Sequence, residues 1–264
     1  MKHCLLGAIW GDICGVPYEF NSERNAERID LRHPKRALSD DTVLTLAVAK
    51  AILEHRPYGE VIFEFALAYP HSGFGGMFRR KWILERNPEP YNSFGNGAAM
   101  RVSPVGWAFN TIDDVLREAA ASAACSHNHP QGIASAQAVA LAVFLARKGQ
   151  DKEIIREELE TRFGYCLTEA LPEVRQWAEV TGFDATWVSV PQAISVFLAT
   201  DSFEDCLVQA IALGADADTQ AAIACSIAEA YYGVEEALAR QVMSFLEREQ
   251  QEVLNSFARR YGVE

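Results

Sequence analysis

Apolar residues recur at three- and four-residue spacing along most of the chain, and no stretch shows a convincing alternation of period two. The pattern predicts helices over residues 41–54, 58–69, 111–124, 131–148, 151–163, 190–199, 202–213, 218–232 and 234–248, with a last one over 250–260. An apolar helix also precedes the turn at Gly15, Val16 and Pro17. Local punctuation agrees. Thr111 with Asp114 resembles a capping box, with Asp in the Glu position. Pro130 stands at the start of the 131–148 segment and Gly149 just past its end. The 151–163 segment mixes charge signs and reads as a solvated face. In the 218–232 segment, Ala221, Ala222, Ala224 and Ala228 would let neighbouring helices approach closely. Loops at 15–40, 71–96 and 214–217 hold most of the Gly, His and Asp. With no repeat and no low-complexity tract, the expectation is one all-α domain over residues 1–264.

Composition narrows the picture. The 264 residues are 49% hydrophobic and 23% charged, an ordinary globular balance. The net charge of −12 provides no basic footprint and speaks against nucleic acid as a partner. An anionic substrate would need local positive charge from arginine, helix N-termini or a bound metal. The six cysteines are scattered without a Cys-x-x-Cys pair, most among Ala, Leu and Ile. Asp12 interrupts the early apolar run and no convincing cleavage site follows, so a reduced, cytoplasmic protein is expected. No stretch reaches the roughly 18 apolar residues of a membrane span.

Two short acidic stretches stand out. Ser39, Asp40, Asp41 and Thr42 precede the 41–54 helix; Asp216, Ala217, Asp218 and Thr219 open the 218–232 helix. Each alone is accounted for by N-capping, since hydroxyl and carboxylate oxygens accept from free helix N–H groups. Together they offer four carboxylates and hydroxyls, the hard-oxygen set that Mg²⁺ or Mn²⁺ prefers. Four acids brought together would repel without a cation between them, and that cation would supply the missing local positive charge. Glu19, after the Gly/Pro turn, reads by itself as a loop charge, and Asp12 as a residue that caps or braces a turn. The His71 to Gly76 loop, with Gly73, Gly75 and Gly76, can cradle phosphate or act as a mobile lid. It matches neither a P-loop nor a dinucleotide fingerprint. Arg79, Arg80 and Lys81 after it read as surface charges. Ser93, Phe94, Gly95, Asn96 and Gly97 form a tight turn feeding a helix start, suited to an anion or simply structural. His127 and His129 lack a third zinc ligand at zinc spacing, so a substrate contact or a satisfied core histidine is expected.

Taken in order, GDICGVPYEF, SDDT, SFGNGAAMR, SHNHP and GADADT make the chain similar to the ADP-ribosylglycohydrolase family over about residues 4–235, with 236–264 as C-terminal helices. The resemblance implies a compact, single-domain orthogonal helical bundle with a binuclear Mg²⁺ or Mn²⁺ centre. Its metal ligands fall on Ser39, Asp40, Asp41, Asp216, Asp218 and Thr219. Glu19 takes the place of a glutamate near the scissile bond. Ser93, Phe94, Gly95 and Asn96 take that of a pyrophosphate-cradling turn, with the glycine loop beside it. His127 takes that of a contact to the distal substrate. Ser39 replaces a commoner Thr, and Ala215 a commoner Gly. The implied reaction is hydrolysis of the glycosidic bond between ADP-ribose and a protein side chain or small acceptor, with Glu19, Asp40 and Asp218 as unranked candidates for the catalytic carboxylate. A non-catalytic ADP-ribose-binding module, a metal-dependent phosphohydrolase and a crystallin-like structural protein are the rivals.

Overall fold

A computed structural model describes residues 3–168, 170–180 and 185–262. The helices are α1 (Leu6–Gly15), α2 (Asp40–Glu54), α3 (Tyr58–Ala68), the single turn α4 (Gly76–Phe78), α5 (Ser103–Ala108), α6 (Ile112–Ala124) and α7 (Pro130–Arg147). They continue as α8 (Lys152–Phe163), α9 (Leu171–Val180), α10 (Thr186–Ala199), α11 (Phe203–Ile211), α12 (Ala217–Tyr232), α13 (Glu236–Met243) and α14 (Arg248–Tyr261). Among the described residues there is no strand, only an isolated bridge between Gly95 and Ala185. The expected all-helical bundle is therefore what forms.

The core is organised around α7 and α12. Residues 138–146 of α7 are buried on every side, as an apolar run without amphipathic alternation requires. The small face of α12 receives α1. A Cβ on Gly11 would land within van der Waals contact of the Ala221 carbonyl, and one on Gly15 within that of the Asp218 Cα. Backbone thus lies directly on backbone, which only glycine permits. This contact carries the end of α1, and Glu19 beyond it, to the start of α12.

The same pair of helices solves a capping problem. α1 starts after Leu5, which is left-handed (φ 69°) and provides no side-chain cap. Glu229 of α12 supplies it instead, accepting from the N–H groups of Leu6 (3.2 Å) and Gly7 (2.8 Å). Burial raises the Glu229 pKa to about 7. Glu229→Ala would leave two buried N–H groups without acceptors and is expected to cost about 2–4 kcal/mol. Denaturant unfolding measures it, and Glu229→Gln, which keeps one acceptor, should lose less.

Several boundaries differ from the sequence pattern. The expected helix over 234–248 is two: α13 ends at Met243, and α14 restarts through a capping box in which the Glu247 N–H donates to Gln250 Oε1 (2.9 Å). That cap overrides the continuing apolar periodicity. α10 begins at Thr186 and runs through Pro191, so the proline lies inside the helix instead of bounding it. The helix start expected after the Ser93 to Gly97 turn is a single 3-10 turn (Asn96–Ala98), with α5 following only at Ser103, and α9 was not evident as a helix. The 71–96 loop contains α4 and a π-helical turn over Arg79–Leu84. Phe74, Phe78 and Trp82 stack there at centroid spacings of 5.2 and 4.8 Å, fixing the glycine loop to the body.

Candidate active site

Helix starts build the site. Ser39 is the N-cap of α2, its Oγ accepting from the Asp41 N–H at 3.1 Å. Asp12, fully buried in α1, braces the same end: its Oδ2 accepts from the N–H groups of Ser39 (3.0 Å) and Thr42 (3.1 Å) and from the Thr42 hydroxyl. Asp40 and Asp41 are thereby held in the first turn of α2. At α12 the chain turns more sharply. Gly214 and Ala215 are both left-handed (φ 73° and 57°). Asp216 (φ −78°, ψ 70°) then sits at the centre of an inverse γ-turn closed by the Ala217 N–H on the Ala215 carbonyl (2.9 Å).

The two acidic stretches meet. Thr219 Oγ1 donates to Asp41 Oδ2 at 3.1 Å across 178 residues. Carboxylate oxygens of Glu19, Asp216 and Asp218 lie within 4.8 Å of one another. Asn96 Nδ2 donates to Asp216 Oδ2 at 2.7 Å, tying the Ser93 to Gly97 turn to the acidic cluster. These groups form one end of a cleft of about 600 Å³. Glu19, Asp40, Asp41, Asp216, Asp218 and Thr219 line it, as do Gly73, Gly75 and Gly76, Ser93, Phe94, Gly95 and Asn96, and His127. Of the residues singled out from the sequence, Ser39 stands behind the wall, its hydroxyl 3.4 Å from Asp41 Oδ2. Tyr91, Met100 and Arg101 also line the cleft and were not picked out, although Met100 and Arg101 end one of the recognised stretches. At the rim, Phe94 packs against Trp187 at 5.1 Å between centroids, and both rings stay nearly half exposed. No local signal marked Trp187.

The electrostatics are those of acids short of a cation. Burial, then the neighbouring Asp218 and Asp12 carboxylates, raises the Glu19 pKa to about 8. Burial raises Asp216 to about 6, moderated by the Asn96 hydrogen bond. Asp40, Asp41 and Asp218 lie well above the ordinary carboxylate range, through burial first and then through neighbouring carboxylates, Asp218 and Asp12 for the first two and Asp216 and Asp12 for the third. Asp41 Oδ1 and Asp12 Oδ1 are buried without hydrogen-bond partners. Clustered hard oxygens, an orphaned carboxylate oxygen and mutual repulsion fit a divalent ion.

The loop before Asp216 stores strain. A left-handed alanine costs about 1–2 kcal/mol, while glycine loses more chain entropy on folding. Ala215→Gly is expected to stabilise the protein by about 0.5–1 kcal/mol. Chemical denaturation checks the sign; a loss of stability would mean the Ala215 conformation is unstrained.

The helical body thus carries a cleft in which clustered carboxylates stand beside glycine turns. The chain belongs to the ADP-ribosylglycohydrolase family, whose sequence model matches residues 1–263, and with that family it is a hydrolase of glycosidic bonds. It is 28% identical to ADP-ribosylhydrolase ARH3 of Homo sapiens, over 89% of this chain and 86% of that protein. It is 26% identical to the ADP-ribosyl-(dinitrogen reductase) glycohydrolase of Rhodospirillum rubrum, over 88% and 85%. A solved structure titled ADP-ribosylglycohydrolase-related protein complex shares the fold, with a TM-score of 0.73 at 22% identity over 97% and 96% of the two chains. Among the described residues no helix is long and apolar enough to cross a membrane.

Proposed function

We propose that the chain hydrolyses the glycosidic bond joining ADP-ribose to a protein side chain or a small acceptor, releasing free ADP-ribose. The observation that carries this is the convergence of Glu19, Asp40, Asp41, Asp216 and Asp218 in one cleft that the glycine turns also line. Ser39, Asp40, Asp41, Asp216, Asp218 and Thr219 would hold two Mg²⁺ or Mn²⁺ ions, the Ser39 hydroxyl lying 3.4 Å from Asp41 Oδ2. Such ions, when bound, supply positive charge that acidifies water and polarises hydroxyl oxygens.

The remaining roles belong to the chain. Positive charge grows on the glycosyl carbon as the acceptor departs. Glu19, Asp40 and Asp218 are the candidates for the carboxylate that, once ionised, stabilises that charge or accepts the proton of the attacking water. Gly75 and Gly76 have open space where a Cβ would stand, and a Cβ on Gly73 would lie 3.7 Å from Asp40 Oδ1. Their bare backbone admits a pyrophosphate close to the acids, which holds the reacting carbon in place. The exposed faces of Phe94 and Trp187 at the rim suit a purine base.

The test is the product. Incubation of an ADP-ribosylated protein with the enzyme and Mg²⁺ is expected to release ADP-ribose, identified by chromatography, and chelation to stop it. Release of AMP or phosphate would make the protein a phosphohydrolase. Binding of ADP-ribose without turnover would make it a binding module.

A further inference from the structure

We propose that Ser126, aligned by Arg101, locks His127 as its neutral Nε2–H tautomer, so that the ring presents one fixed hydrogen-bond donor to the cleft. The argument begins with Arg101, a fully buried side chain. Its Nη2 donates to the Ser122 carbonyl (3.0 Å) and to Ser126 Oγ (2.8 Å). A guanidinium only donates, so the Ser126 oxygen is the acceptor. Ser126 is itself fully buried, and its single hydroxyl proton needs an acceptor of its own. Among the described residues its remaining partners are His127 Nδ1, at 2.8 Å, and the Cys125 sulfur, a far weaker acceptor than an imidazole nitrogen.

One assignment pairs the Ser126 hydroxyl proton with a strong acceptor. If Ser126 donates to Nδ1, that nitrogen carries no proton and the ring proton sits on Nε2. The opposite tautomer would leave the buried hydroxyl proton only the weakly accepting Cys125 sulfur, a disadvantage worth about tenfold in population. Burial, and the Arg101 charge beside the ring, also hold the His127 pKa well below its ordinary value, so the ring stays neutral. Its Nε2 edge faces Gly97, where a Cβ would stand 2.9 Å away, and both residues line the cleft. Nε2 has no hydrogen-bond partner among the described residues. Resting on the proposed hydrolase reading, the acceptor of that N–H is an oxygen of the ADP-ribosyl group. Ser126, which does not line the cleft, is then a positioning residue that acts through His127, and Arg101 aligns it.

The deciding experiment is long-range ¹H–¹⁵N NMR of the full chain, labelled at histidine and loaded with Mg²⁺, with the His127 ring assigned through its own Cβ. The expected spectrum shows an unprotonated Nδ1 and a protonated Nε2, unchanged from pH 6 to pH 8. An Nδ1–H ring, or an imidazolium within that range, overturns the proposal, and this reading needs no variant to fold. Ser126→Ala is expected to mix the tautomers and weaken ADP-ribose binding, by calorimetry, about tenfold. Ser126→Thr should restore both. Ser126→Ala with the wild-type tautomer and affinity also overturns it. A wild-type protein with the expected tautomer but no affinity for ADP-ribose would confirm the lock and defeat the hydrolase reading instead, so the two failures are distinguishable.

Discussion

Asp218→Asn is expected to lower kcat for ADP-ribose release by about 10³-fold or more, within the range for loss of a group that handles a proton or charge in the transition state. The same substitution is expected to raise the melting temperature of the metal-free protein by about 2–4 °C. The two effects have one cause. Asp218 is buried at the centre of the cluster, and the charges around it include Asp216 and Asp12. An asparagine keeps the shape and can still accept the Thr219 N–H bond that Asp218 Oδ1 now accepts at 2.9 Å. It removes one of several like charges that folding forces together. Steady-state kinetics and scanning calorimetry without divalent ions measure both effects. Unchanged kcat would remove Asp218 from the chemistry. A lowered melting temperature would make it a structural acid whose hydrogen bonds outweigh the repulsion.

That opposition between function and stability explains what the sequence shows and what it hides. The stretches at 39–42 and 216–219 were legible because each sets acids at a helix start, and two such sites are hard to explain by capping alone. Their meeting was not legible. The Thr219 to Asp41 bond spans 178 residues, and it exists because glycines of α1 let that helix lie against the backbone of α12. Asp12 could be read as a brace, but not as the brace of α2, because its partners are 27 and 30 residues away. Glu229 had no local signal either, since it caps a helix more than 220 residues distant. The split between α13 and α14 was hidden for the opposite reason: a local cap at Glu247 stops a helix that apolar periodicity would continue. Ser39 was placed among the metal ligands by the family resemblance; what the local pattern did show is its N-cap, with its hydroxyl accepting the Asp41 N–H at 3.1 Å.

The metal-free protein is expected to lose stability as pH rises from 5.5 to 8, and Mg²⁺ to restore it more at pH 8 than at pH 5.5. The sign follows from linkage. A carboxyl whose pKa is raised by folding binds more protons in the native state than in the unfolded one. Its contribution is present below the unfolded pKa and is lost as pH rises through the folded value. Asp216 titrates in this way at about 6 and Glu19 at about 8. Asp40, Asp41 and Asp218 shift in the same direction. A divalent ion binds the ionised set, so protons compete with it at low pH and not at high pH. At about a hundredfold excess over its dissociation constant it stabilises by about 2.7 kcal/mol, or roughly 5–10 °C in melting temperature. Glu229, remote from the cleft and raised to about 7, adds a slope of the same sign that no metal relieves. The Mg²⁺-loaded protein should therefore keep a shallow residual decline through neutrality, which Glu229→Gln flattens. Differential scanning fluorimetry at the two pH values, with Mg²⁺ and with EDTA, reads the whole pattern. An equal Mg²⁺ shift at both pH values would mean that the ion binds elsewhere than on these carboxylates, and no shift at either would mean that the acidic cluster holds no metal.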